Sequence, residues 1–371
     1  MSVEGPYQSC AIRSLLRFIV PLAISLAAIS FFSIPLVAQG EEILSHEEGS
    51  PPSPQITGWS DINFSDTDEP DRTSGFSQGQ IVLHMSSSLT QTTSVFSELS
   101  FSSKTTGTAV GVERLIIRFD QGDLLKLSFG RDHTPINWWN MSFHHGLWLQ
   151  TSIDRPEMTK FGGTFIPVHF LGASLTGSVP AEGLNFSYTA SVGNGRAQAI
   201  SGAGDAGDAN DNRAWLVNLF ARPDRFFGLQ IGTSFYQDKI SLNDGRSFEE
   251  WIASAHFVWQ KEDPEVIAEF ANVNHRQAGG RSSDSQAYYI QVAYRLPWFD
   301  SLWKPYYRFE RFDVPSDAVL FKQSDFNKET SIIGIRYDAS YFAAFKGEYR
   351  QHHRQGMPDV NGYFGQVSFT F

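Results

Sequence analysis

The chain has 371 residues, with 40 Asp and Glu against 29 Lys and Arg, for a formal net charge of -11. That acidity excludes a nucleic-acid binder, which needs a basic face for phosphate. A single cysteine excludes a disulfide scaffold.

Arg13 and Arg17 precede an apolar run over residues 18–38 that contains Pro21 and Pro35 and ends at Ala38, ahead of Glu41-Glu42. This pattern predicts a secretory signal peptide over residues 1–38, cleaved near Ala38. Cys10 lies before the apolar run without a small-residue lipobox, so it is neither a lipid-attachment site nor half of a disulfide, and the mature chain has no thiol. Removing residues 1–38 takes away Arg13, Arg17 and Glu4, which moves the net charge from -11 to -12. Residues 39–54 are acidic and contain Pro51-Pro52-Ser53-Pro54, the composition of an unstructured lead-in.

After the signal, no apolar stretch approaches the roughly 20 residues of a spanning helix. Aromatic residues nonetheless reach 14%. A membrane protein without apolar helices must be a closed barrel. Residues 55–371 carry sixteen candidate strands, the first eight near 55–64, 76–86, 94–102, 110–120, 124–130, 165–178, 183–193 and 214–222. The other eight lie near 227–238, 249–260, 265–275, 286–295, 303–313, 329–338, 342–350 and 361–371. Period two is plain in several, as where Leu115, Ile117 and Phe119 alternate with Arg114 and Arg118, or where Trp251, Ala253, Ala255, Phe257 and Trp259 share a face. The last strand puts Tyr363, Gly365, Val367, Phe369 and Phe371 on one face, an aromatic ending suited to lipid.

With both termini periplasmic, odd connections should be outer loops and even ones short inner turns. Longer odd connections are expected at 66–75, 103–109, 131–164, 194–213, 239–248, 276–285, 314–328 and 351–360, and short even ones at 121–123, 179–182, 222–225 and 261–264. The first even turn, near 87–93, reads as longer than the others. The fold expected is all-β: a transmembrane antiparallel β-barrel of sixteen strands, wide enough for an aqueous lumen.

The longest internal connection, 131–164, carries Trp138, Trp139 and Trp148 among many charges. Indole rings want burial with a partner for the N–H. The long third extracellular loop is therefore expected to fold into the lumen and narrow it, where its charges meet the solute with little screening. The alternative places those tryptophans in the outer aromatic girdle. The candidate pore-lining and constriction residues are Arg114, Arg118, Lys126, Arg131, His133, Asp154, Arg155 and Lys160. Parity also turns Arg336, Asp338, Lys346, Glu348 and Arg350 inward. His144-His145 beside Asp154 reads as loop histidines, since neighbours in an extended segment point opposite ways. Asp205, Asp208, Asn210 and Asp211 lack the EF-hand pattern and read as a solvated loop, so no metal and no cofactor is expected.

The run Leu127-Ser-Phe-Gly-Arg-Asp-His-Thr-Pro135, the long loop after it, Ile166-Pro-Val-His-Phe-Leu-Gly-Ala173 and Val192-Gly-Asn-Gly195 resembles the phosphate-selective porin O/P-like superfamily. The resemblance covers about 55–371 and implies a sixteen-stranded porin of the Gram-negative outer membrane, commonly a homotrimer. Its phosphate-specific members concentrate inward Arg and Lys, whereas here basic residues are scattered and outnumbered, so phosphate specificity does not carry over. Arg114, Arg118, Lys126 and Arg131 could form a local basic strip able to hold anions bidentately. The reading is a non-enzymatic porin passing small hydrophilic solutes or ions, with lipid and small polar or anionic solutes as partners. An adhesin or surface-structural barrel and an outer-membrane hydrolase are the other two classes.

Overall fold

The structure is a computed structural model that describes residues 53–371 apart from 144, 146, 163, 197, 202–203, 205–206, 209, 322–325 and 355. The signal peptide and most of the lead-in lie outside the described residues, as do His144 and Asp205.

Sixteen strands follow in chain order. The first eight are β1 (Gln55–Thr67), β2 (Gly75–Ser88), β3 (Thr93–Lys104), β4 (Gly107–Asp120), β5 (Lys126–His133), β6 (His169–Val179), β7 (Phe186–Asn194) and β8 (Ala214–Ala221). The second eight are β9 (Leu229–Ser241), β10 (Ser247–Gln260), β11 (Glu265–Gln277), β12 (Ser282–Ala293), β13 (Trp303–Asp313), β14 (Glu329–Asp338), β15 (Ala343–His353) and β16 (Val360–Thr370). Each pairs antiparallel with its sequence neighbours, and β1 pairs with β16, so the barrel is closed and has no edge. The aromatic terminus sits at this seam, where Phe371 N–H donates to Gly58 O at 2.9 Å and Gly58 N–H donates to Phe371 O at 2.7 Å.

Alternation makes the wall, because each strand separates an apolar outside from a polar or packed inside. In β10, Glu250, Ser254 and His256 are buried inside, while Trp251 and Phe257 are exposed outside.

The connections at 134–168, 195–213 and 314–328 are long and leave one rim. Other odd connections are as short as the even ones, because the strands run further than alternation alone marks. The loop expected at 103–109 shrinks to Thr105-Thr106, and the first even turn closes over 89–92, with Leu89 N–H donating to Thr93 O at 2.8 Å. Residues 165–168, expected to open β6, stay out of the sheet. Phe165, Ile166 and Val168 are instead buried inside the barrel, where their apolarity is used for packing.

The outer face is lopsided. Exposed tryptophans and tyrosines, among them Trp251, Tyr288, Tyr307 and Tyr363, all lie after residue 186. On β1 to β5 the exposed outward groups are aliphatic or phenylalanine, as at Ile62, Val112, Leu115 and Phe129, and Trp59 packs against His84 at 4.3 Å.

Candidate constriction site

The connection 134–168, termed L3 below, enters the lumen and crosses it. It has little secondary structure of its own: one helical turn, α1 (Trp139–Ser142), and the 3-10 turns Leu147–Leu149 and Glu157–Thr159. Its apolar side chains pack on the inner wall. Ile136, Trp138, Trp139, Met158, Phe165 and Ile166 share one buried cluster with Leu216, Tyr236, Ile267, Tyr289 and Phe312 of β8 to β13. Trp139 is fully buried, edge-on to Tyr289 at 6.0 Å. Burying a large apolar side chain contributes ~1.5–3 kcal/mol, so this half of the lumen is a packed core. Trp138 and Trp139 therefore lie inside, not in an outer girdle.

A loop without ladders must find partners for its backbone groups elsewhere. The wall supplies them. Trp138 N–H and Trp139 N–H both donate to Glu269 of β11 at 2.7 Å. Ile153 N–H donates to Glu348 and Glu157 N–H to Glu310, each at 2.7 Å. The L3 carbonyls accept from wall cations: Trp148 O and Gln150 O from Arg336 at 2.6 and 2.7 Å, Asp154 O from Arg308 at 2.8 Å, and Ser152 O from Lys346 at 3.1 Å. Lys346 also donates to Leu147 O.

The opposite wall, on β2 to β5, keeps charged groups of both signs. Pairing between β3 and β4 slips so that Glu98 faces Arg114 and Leu99 faces Val112, leaving Glu113 as a bulge residue. A bulge re-aims its side chains, here bringing consecutive residues to the same side. Glu113 accepts from Ser100 Oγ and lies 3.2 Å from His169 and 3.7 Å from His145. His145 ties L3 to this wall by a 2.6 Å contact between Nδ1 and Gln80 Oε1, and its ring stacks on Phe161 at 4.6 Å.

The residues expected at the pore do not form one ring. Arg114 pairs with Glu98 and lies over the Phe96 ring at 4.4 Å. Arg118 donates to Ser128 Oγ at 3.3 Å. These two line a cavity of about 670 Å³ with His84, Asp132 and a row of serines. His133 is buried, 3.9 Å from Glu98. Arg131 donates to Val112 O at 2.6 Å and to Glu113 O, the carbonyls at the bulge. Lys126 pairs with Asp120 at 2.8 Å near the short-turn rim. Asp154 accepts from Arg350 at 2.6 Å; enclosure by the barrel pushes its exposed carboxyl up, but that guanidinium outweighs the effect and holds it below the usual range. Arg155 is buried under Phe161 at 4.4 Å and donates to Asn140 Oδ1 at 3.0 Å, and burial lowers it to about 9. Lys160 lies at a second cavity of about 840 Å³, beside Glu157, Phe161 and Arg246.

Sequence reading passed over Glu98, Glu269, Arg308 and Glu310, although each sits at an inward position of an alternating strand. Glu113 had no such signal, because only the pairing reveals a bulge.

No family model matches the chain, and no curated protein matches its sequence. Solved barrels do match in shape. An anion-selective porin from Comamonas acidovorans is 11% identical with a TM-score of 0.63, covering 86% of this chain and 100% of its own. The outer membrane channel DcaP of Acinetobacter baumannii is 10% identical at 0.58, covering 86% and 97%. OmpT of Vibrio cholerae in a trimer form is 11% identical at 0.56, covering 87% and 100%. At such identities the likeness is one of fold.

Proposed function

We propose that the protein is a porin-type channel of the Gram-negative outer membrane, through which small hydrophilic solutes and ions diffuse along the β2 to β5 side of the lumen. The observation that carries this reading is L3 itself. It packs the β8 to β13 side with an apolar core and leaves a polar, mixed-charge surface on the other. The likeness of fold to an anion-selective porin and to an outer membrane channel supports it. So does the pattern match to the phosphate-selective porin O/P-like superfamily.

Arg114 and Arg118 favour anions, but Glu98 and Asp132 stand beside them, so the preference is modest. In planar bilayers the purified protein should conduct. Under a salt gradient, Arg114→Ala/Arg118→Ala should move the reversal potential toward cations. Protein that inserts and never conducts sinks the channel reading; an unmoved potential sinks the basic strip alone.

The lopsided outer face supports a homotrimer. Trp and Tyr settle at lipid–water interfaces, and β1 to β5 expose neither. That sector is the one covered by other copies. The mature chain has no cysteine, so single thiols can be placed cleanly. Val112→Cys and Leu219→Cys replace outward residues of similar exposure, 50% and 48%. A short bismaleimide should join copies through position 112 and not through position 219; the reverse pattern puts the interface elsewhere.

A further inference from the structure

We propose that Glu269, Glu310, Glu348, Arg308, Arg336 and Lys346 are positioning residues: a two-sign rack on β11 to β15 that fixes L3 and so sets the bore. The inference rests on the channel reading for what the bore does, and on the hydrogen bonds alone for what the rack holds.

Each sign has its own task. Every carboxylate of the rack accepts an L3 amide, at 2.7 Å in all four bonds. Every cation donates to L3 carbonyls, and Arg308 adds a 2.8 Å bond to Ser152 Oγ. An irregular segment inside a barrel has backbone groups that no ladder satisfies, and a buried unpaired one costs ~1–3 kcal/mol. The rack meets that cost at points spread from Trp138 to Glu157. All six wall groups are buried. Their charges are therefore spent on the loop and are not presented to a passing ion.

This separates the rack from ordinary lining. Neutralising a lining cation shifts ion selectivity while the loop stays docked and the size limit is unchanged. Neutralising a rack cation frees a stretch of L3 and widens the path. Arg336→Met/Lys346→Met is the test, in full-length protein refolded into detergent, with folding checked by heat-modifiable migration in gels. The expected result is a conductance raised about twofold with frequent flicker, and entry of larger sugars in liposome swelling. A second readout needs no conduction. The Ile153 amide donates to Glu348 at 2.7 Å within the stretch that Arg336 and Lys346 hold, so its hydrogen should exchange about tenfold or more faster in the variant. Lys346→Arg should restore both properties, and Glu348→Gln, which keeps an acceptor for Ile153 N–H, should perturb less than Glu348→Leu. If the double variant does not fold, Lys346→Met alone carries the same comparison. A folded variant with wild-type conductance, size limit and Ile153 amide protection overturns the proposal. If wild type never conducts but the Ile153 amide exchanges faster in the variant, the rack stands and the channel reading falls.

Discussion

Trp139→Ala should release L3 from the wall while leaving the barrel closed. Trp139 is 0% exposed, in contact with Tyr289 and Phe143, and its amide is one of the two held by Glu269. Truncating a fully buried Trp costs ~3–5 kcal/mol. None of the strand ladders includes residue 139, so the loss falls on docking of L3 rather than on closure. Hydrogen exchange reads this directly, because local opening exposes the amides it breaks. The amides of Trp138 and Trp139 should exchange about a hundredfold or more faster in the variant, given that each ~1.4 kcal/mol is a factor of ten. Ladder amides of β11 and β12 should keep their protection. Equal exchange of the Trp138 amide in both proteins would falsify the view that Trp139 anchors the loop; loss of protection in the ladders would mean that L3 holds the barrel together.

The sixteen strands were legible because a barrel wall separates two environments, and every strand must write that difference at period two. β10 and β16 are the clearest, with Trp251 and Phe257, or Tyr363, outside and His256 or Gln366 inside. Strand lengths were less legible. Beyond the apolar belt both faces are wet, so β3 and β4 continue through Ser102-Ser103-Lys104 and Gly107-Thr108 with no alternation to mark them. The apolar run at 165–168 misled for the opposite reason: it is written for a core, and a packed lumen provides one that looks like lipid to the sequence.

At the site, parity placed Arg336, Lys346, Glu348 and Arg350 inside but could not say what they meet. On L3, Arg336 and Lys346 meet carbonyls and Glu348 an amide, groups that every residue has and no sequence pattern announces, while Arg350 meets the Asp154 carboxylate. The three tryptophans announced that L3 packs against something, since so much indole is not left in water. Which half of the lumen it fills was set by apolar inward positions spread over β8 to β13, such as Leu216, Ile267 and Tyr289, each unremarkable alone.

Ion selectivity should depend on pH through Glu157. This carboxyl lies on L3 at the 840 Å³ cavity, outside the strands, and burial followed by the neighbouring Glu310 carboxylate raises it to about 7. Asn327 N–H and Nδ2 donate to it, at 3.3 and 3.1 Å, and Lys160 shares its cavity; these favour the charged form without overcoming burial. Below about 7 the group is neutral, and above it the mouth gains a negative charge beside Glu310. The reversal potential should therefore move toward cations as pH rises through about 7, and Glu157→Gln should hold the acidic-side value throughout. The same titration acts on stability with a definite sign. A carboxyl raised from 4.5 to about 7 keeps its proton in the folded loop after the unfolded chain has lost it, so docking of L3 is strongest below 4.5 and weakens across that window. Glu157→Gln should abolish the weakening. A selectivity that crosses neutrality unchanged in wild type would place the controlling charge elsewhere in the lumen, and a variant that still follows pH would show that Glu157 is not the group that titrates.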